Sequence, residues 1–126
     1  MAIPAIIGIA NANGSVDSIR VETGGYPERM AAILCKAYTD EPQVRALVSD
    51  GDRIWIGDTV SSADVIRGTE VTHNASRREF EQLYGQAGCI YLFEHGAWMF
   101  VHSQCKEHGE LPAPLSAYIP DWALIR

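Results

Sequence analysis

Gly24–Asp52 reads GGYPERMAAILCKAYTDEPQVRALVSDGD, and its punctuation and periodicity decide how the chain folds. Pro27 suits the first position of a helix, where its missing N–H costs nothing and its fixed φ matches the entering turn, and Gly24 and Gly25 break the chain just before it. Met30, Ile33, Leu34, Ala37 and Tyr38 then recur at helical spacing, an apolar stripe flanked by Glu28, Arg29 and Lys36 that should lie on a sheet. Asp40, Glu41 and Pro42 give a second start signal with Gln43 as capping-box partner, Val44, Leu47 and Val48 make a second stripe, and Gly51 closes it. The stretch therefore predicts a helix, a tight corner and a second short helix.

Outward from this pair, the apolar segments read as hairpins. Asn13-Gly14 lies between Ile6–Ala10 and Val16–Glu22, the pattern of a type I′ turn, whose register would set Ile6 opposite Val21 and Gly8 opposite Ile19. Cys89–Glu94 and Ala97–His102 flank His95-Gly96, which places Phe93 opposite Trp98 and Tyr91 opposite Phe100 on an aromatic face. Ile90, Leu92, Met99 and Val101 form an aliphatic face, expected to meet the helices. Arg53–Gly57 reads as a short strand and Ser61–Thr72 as irregular or weakly extended, while Ser76 and Glu79 make a capping box for a short helix through Phe80, Leu83 and Tyr84 that ends at Gly85. The fold class expected is α+β, an antiparallel sheet built from N- and C-terminal hairpins with two or three short helices on one face.

Composition bounds the rest. A chain of 126 residues, 47% of them hydrophobic, suits a single domain over residues 1–126, with 103–126 a tail containing Pro112, Pro114 and Pro120 that packs on its own domain or on a second copy in a homodimer. The longest apolar run, Ala5–Ala10, is far short of the roughly 20 residues that span a bilayer, and no basic region precedes it, so a cytoplasmic protein is expected. Cys35, Cys89 and Cys105 are odd in number and widely spaced, which speaks for ordinary thiols in a reducing compartment. A net charge of −6 makes direct nucleic-acid binding an improbable role and a basic partner an easy one.

The functional candidates are surfaces, since no motif of high specificity occurs. Asp40, Glu41, Asp50, Asp52, Asp58 and Asp64 outnumber Arg45 and Arg53 over their stretch, making either an acidic docking surface or a solvated face. Tyr91, Phe93, Trp98 and Phe100 are either partner-binding or a second core layer under the tail. With Arg77 or Arg78 for phosphates, the same ribbon would make a nucleotide module. His102, Cys105 and His108, with His95 and His73 elsewhere, match no familiar zinc spacing, so neither metal nor cofactor is expected. No nucleophile elbow or phosphate loop is present, and catalytic residues are not assigned.

The order of motifs adds a resemblance. Asn13-Gly14-Ser15-Val16 to Ile19, Gly25-Tyr26-Pro27, Leu34, Tyr38, Val44, Leu47, Gly51-Asp52 and Tyr91-Leu92-Phe93 with Gly96 and Trp98 cover about two thirds of the chain, and together their pattern resembles a group of small uncharacterised bacteriophage and prophage proteins. The chain departs from that group at Val21, Glu22 and Gly24, where Cys, His and Asp are expected, and in the tail beyond His102. The resemblance implies a phage-encoded accessory protein that inhibits a host defence system, in the manner of anti-CRISPR proteins. It would bind a host defence complex stoichiometrically at a basic surface that otherwise grips nucleic acid, with a small-ligand or signal-binding module as the alternative and a hydrolase as a third reading.

Overall fold

A computed structural model of the chain describes residues 4–22, 24–25, 27–49, 51–52, 71–85, 88–103 and 113–115. Its elements run β1 (Ala5–Ala10), β2 (Val16–Val21), α1 (Pro27–Ala37), α2 (Glu41–Ser49), β3 (Thr72–Asn74), α3 (Arg77–Glu81), a 3₁₀ turn (Gln82–Gly85), β4 (Cys89–Glu94), β5 (Ala97–Ser103) and β6 (Ala113–Pro114). The strands form one sheet in the order β3-β2-β1-β4-β5-β6. The architecture is α+β, as the sequence implies, but the sheet is mixed rather than wholly antiparallel. β1 and β4 are parallel neighbours, joining the two hairpins at the centre. The long path through α1, α2, β3 and α3 returns the chain to the start of β1, so β4 enters along its free edge in the same direction.

Helix boundaries follow the sequence signals closely. Pro27 opens α1. Asp40 Oδ1 accepts the Gln43 N–H at 2.9 Å, while Gln43 Oε1 reaches back to the N–H of Thr39, one residue earlier than a standard capping box. Gly51 stops the chain after α2 with φ at 85° and its N–H on the Val48 carbonyl. Ser76 and Glu79 cap α3 reciprocally: Ser76 Oγ accepts the Glu79 N–H, and Glu79 Oε2 accepts the Ala75 N–H.

The N-terminal hairpin differs from expectation by one residue. Gly14 has φ at 89° but Asn13 is not left-handed, so the turn is not type I′. The Gly14 N–H reaches the Asn11 carbonyl and the Asn11 N–H reaches that of Ser15, a longer loop with glycine at its left-handed position. Ala5 therefore faces Val21 and Ile7 faces Ile19, in place of the Ile6–Val21 and Gly8–Ile19 pairs. A slip of one residue exchanges the faces. Ala5, Ile7, Ile9, Ile19 and Val21 consequently join the core made with α1 and α2, and Ile6 and Val16 join the one made with Phe80 of α3.

In the C-terminal hairpin His95 and Gly96 both have positive φ, and Phe93 faces Trp98 and Tyr91 faces Phe100, as the sequence implies. The aliphatic face meets a helix, as expected, but the aromatic face meets helices as well. The aromatic row packs with Met30, Leu34, Val44 and Leu47 of α1 and α2, and the aliphatic Ile90, Leu92 and Val101 pack with Phe80. Helices thus cover both faces of the sheet, not one. β3 begins at Thr72, the end of the stretch whose sequence gives at most a weakly extended signal. It is held by Asn74, whose side-chain amide donates to the Val16 carbonyl and to Ser18 Oγ. Of the tail, β6 pairs with β5 and Leu115 is fully buried in the larger core; the rest of it, and the strand expected at Arg53–Gly57, lie outside the described residues.

Candidate functional site

The aromatic ribbon is interior. Tyr91 and Phe100 are wholly buried, and Phe93 and Trp98 are 4% and 6% exposed. Tyr91 and Phe100 stack at 5.2 Å, and Phe93 meets Trp98 edge-on. Their polar atoms are used at the two ends of α1: Tyr91 Oη donates to the Gly25 carbonyl at 2.6 Å, and Trp98 Nε1 to the Tyr38 carbonyl at 2.8 Å. Both carbonyls belong to buried residues at the helix termini, where backbone groups draw on side-chain partners. Tyr91 and Trp98 therefore clamp α1 to the sheet, and the row as a whole is core rather than an open binding surface, with Phe93 alone of the four reaching the lining of a surface hollow.

The acidic residues divide. Asp50, Asp58 and Asp64 lie outside the described residues. Asp52 is structural: its Oδ1 accepts the Arg20 N–H at 2.9 Å, on the outer edge of β2 where β3, paired only with Val16–Ser18, does not reach. Asp40 and Glu41 are exposed at the start of α2, and there the surface opens into a hollow of about 500 Å³. Its floor is Ile9 and Phe93, and its rim carries Asn11, Asp40, Glu41, Glu94 and His95. It lies at the carboxyl ends of the parallel strands β1 and β4, where adjacent strand ends and a helix start leave room for a ligand.

The electrostatics of this hollow are uneven. Glu41 holds Arg45 at 3.0 Å, and Glu94, with its side chain 14% exposed, holds Arg77 at 2.8 Å. Asp40 has no cation within 4 Å among the described residues and spends one oxygen on the helix cap. A helix start attracts anions. Here the Gln43 N–H is taken by Asp40 and Pro42 has none to give, and an anionic guest would meet the Asp40 and Glu41 carboxylates. The hollow thus joins an apolar floor to a rim with three carboxylates.

Other groups weighed from the sequence stand apart from it. Arg77 bridges Glu81 and Glu94, and Arg78 is exposed on α3. Cys35 is pushed up to about 11 by burial, which keeps it a thiol at neutral pH. Cys89 is buried, and Cys105 and His108 lie outside the described residues. His73 faces Asp17 across β2 and β3, an arrangement illegible in the sequence because nothing local sets β3 against β2. Glu94 and His95 of the rim were visible only as turn residues. Among the described residues no helix is long and apolar enough to cross a membrane, and no group of three or more His, Cys, Asp or Glu is placed to hold a metal. No protein-family model, curated protein or solved structure matches the chain.

Proposed function

We propose that this protein acts by stoichiometric binding to a basic protein surface, with the hollow between α2 and the β4–β5 turn receiving a guanidinium or ammonium group of the partner. The observation that carries this reading is Asp40, an exposed carboxylate with no cation beside it among the described residues, on the rim of a hollow floored by Ile9 and Phe93. The net charge of −6 would steer such a partner toward the molecule. The resemblance to phage proteins points to the class of partner: a host defence complex with a basic surface that otherwise grips nucleic acid, in the manner of an anti-CRISPR target. An exposed ion pair contributes only about 0.2–1 kcal/mol. Affinity must therefore come from a wider interface, and the hollow supplies register.

The test is a nuclear magnetic resonance titration at low salt with a blocked Gly-Arg-Gly peptide, using Gly-Gln-Gly as control. The amides of Asp40, Glu41 and His95 should shift with the arginine peptide alone. Asp40→Asn keeps an N-cap, since Asn caps as well as Asp, and should lose most of the response. Equal shifts with both peptides, or none, would remove the cation site. Failure of purified nucleic-acid-binding defence complexes to form a salt-sensitive one-to-one complex would remove the partner class.

A further inference from the structure

The hollow is wired to a second charged site on the same face of the sheet. Over the β2–β3 edge lies a depression of about 210 Å³ that includes Asp17, Arg45 and His73 in its lining. His73 Nδ1 is 2.5 Å from Asp17 Oδ1, and Arg45 Nη1 stands 3.7 Å from the other oxygen of the same carboxylate. The Arg45 guanidinium then donates through Nη2 to Glu41 at 3.0 Å and through Nη1 to Asn11 Oδ1 at 2.9 Å. Glu41 and Asn11 both belong to the rim of the hollow. Imidazole, carboxylate, guanidinium and carboxylate thus alternate in direct contact from the sheet edge to the proposed site.

We infer that His73 regulates the hollow through Asp17 and Arg45, so that capture of a basic group weakens as His73 gains a proton. The inference rests on the reading of the hollow as a cation site. Nδ1 faces a carboxylate, and the side chain of the ring is 78% exposed. With His73 neutral, Asp17 shares Arg45 with Glu41, and Glu41 keeps charge for a guest. With His73 protonated, Asp17 is compensated by the imidazolium, and Arg45 is left to Glu41 and Asn11. Glu41 is then the better neutralised. The sign holds even if Arg45 stays still, since the site gains one positive charge.

Among the described residues, the groups around His73 leave this path clear. β2 presents Asp17 and α2 presents Arg45, with Glu41 beyond it. From α3, which packs against β3, Arg77 is held by Glu81 and Glu94, Glu79 caps Ala75, and Arg78 is exposed. His95 sits directly on the rim, so its own titration must be separated.

The experiment follows native protein, His73→Gln and His95→Asn from pH 8 to pH 5.5, the range in which an imidazole changes charge. Two readouts are taken: the Arg45 guanidinium nitrogen and Glu41 carboxyl carbon resonances, and the Kd of the blocked Gly-Arg-Gly peptide. In the native protein both resonances should move with the titration of His73, and the Kd should rise roughly 1.5- to 5-fold on acidification. His73→Gln should abolish the resonance movement and hold the Kd near its pH 8 value, apart from the part that His95→Asn removes. Arg45 and Glu41 resonances indifferent to His73, or a His73→Gln variant with native pH dependence, overturn the relay. Peptide binding at no pH overturns the cation site instead, and the resonances still decide whether the relay exists.

Discussion

At the scale of single residues, Gly8 and Phe80 define each other. A methyl group built on Gly8 stands 2.6 Å from Phe80 Cε1 and 2.9 Å from Val16 Cγ1, closer than side-chain atoms approach. Phe80, fully buried, therefore occupies the volume that any other residue at position 8 would need. Gly8→Ala should destabilise the fold by about 1–3 kcal/mol through overpacking, and Phe80→Ala by about 3–5 kcal/mol through the cavity it leaves. The double variant should cost clearly less than the two together, because the ring that obstructs the methyl is gone. Denaturant midpoints of the four proteins measure this, and strictly additive losses would mean that the ring is not the obstacle. Sequence gives half of this pair: a glycine inside an apolar strand marks a close approach. It does not say that the approaching group comes from Phe80, far along the chain.

At the scale of elements, the signals that could be read were the local ones. Helix caps are short-range hydrogen bonds, so Asp40, Gln43, Ser76 and Glu79 announce their helices in sequence. The His95-Gly96 turn is equally local. Asn13-Gly14 misled because it suits two loops, a two-residue turn with both residues left-handed and a longer one with only the glycine so, and the second keeps Ile7 and Ile9 on the face toward α1 and α2. The β1–β4 pairing had only an indirect sign in the unbroken apolar runs of both strands, as in strands covered on both sides. The candidate site suffered in the same way, since Asp40 and Glu41 were visible but their neighbours Glu94 and His95 arrive through that pairing. His95 itself invites a test. It adopts φ of 52° at a turn position where Asn is preferred. His95→Asn should stabilise the protein by part of the roughly 1–2 kcal/mol that a left-handed conformation costs an ordinary residue. A fall in Tm for that variant would mean that His95 makes compensating contacts in the hairpin.

At the scale of the molecule, the mixed sheet dictates how stability is distributed. β1 and β4 sit at the centre, buried on both faces, and each hairpin shares one strand with this parallel pair. Neither hairpin can open from its inner strand without breaking the β1–β4 ladder, and the clamps from Tyr91 and Trp98 tie α1 to the same unit. The edges are different: among the described residues β3 pairs through three and β6 through two. Hydrogen exchange should therefore fall off outward, with β1 and β4 amides exchanging only by global unfolding, at the order of 5–15 kcal/mol usual for domains, and β3 and β6 amides by cheaper local opening. The same gradient bears on the relay, because His73 sits on the easily opened β3 while Asp17 and Arg45 sit on elements tied to the centre. Loss of the His73–Asp17 contact should thus change β3 exchange and leave β1 and β4 unchanged. If the β4–β5 hairpin instead exchanges as a unit before β1 and β2, the parallel pair is not the cooperative centre, and a coupling that runs across the sheet to the hollow would lose its rigid frame.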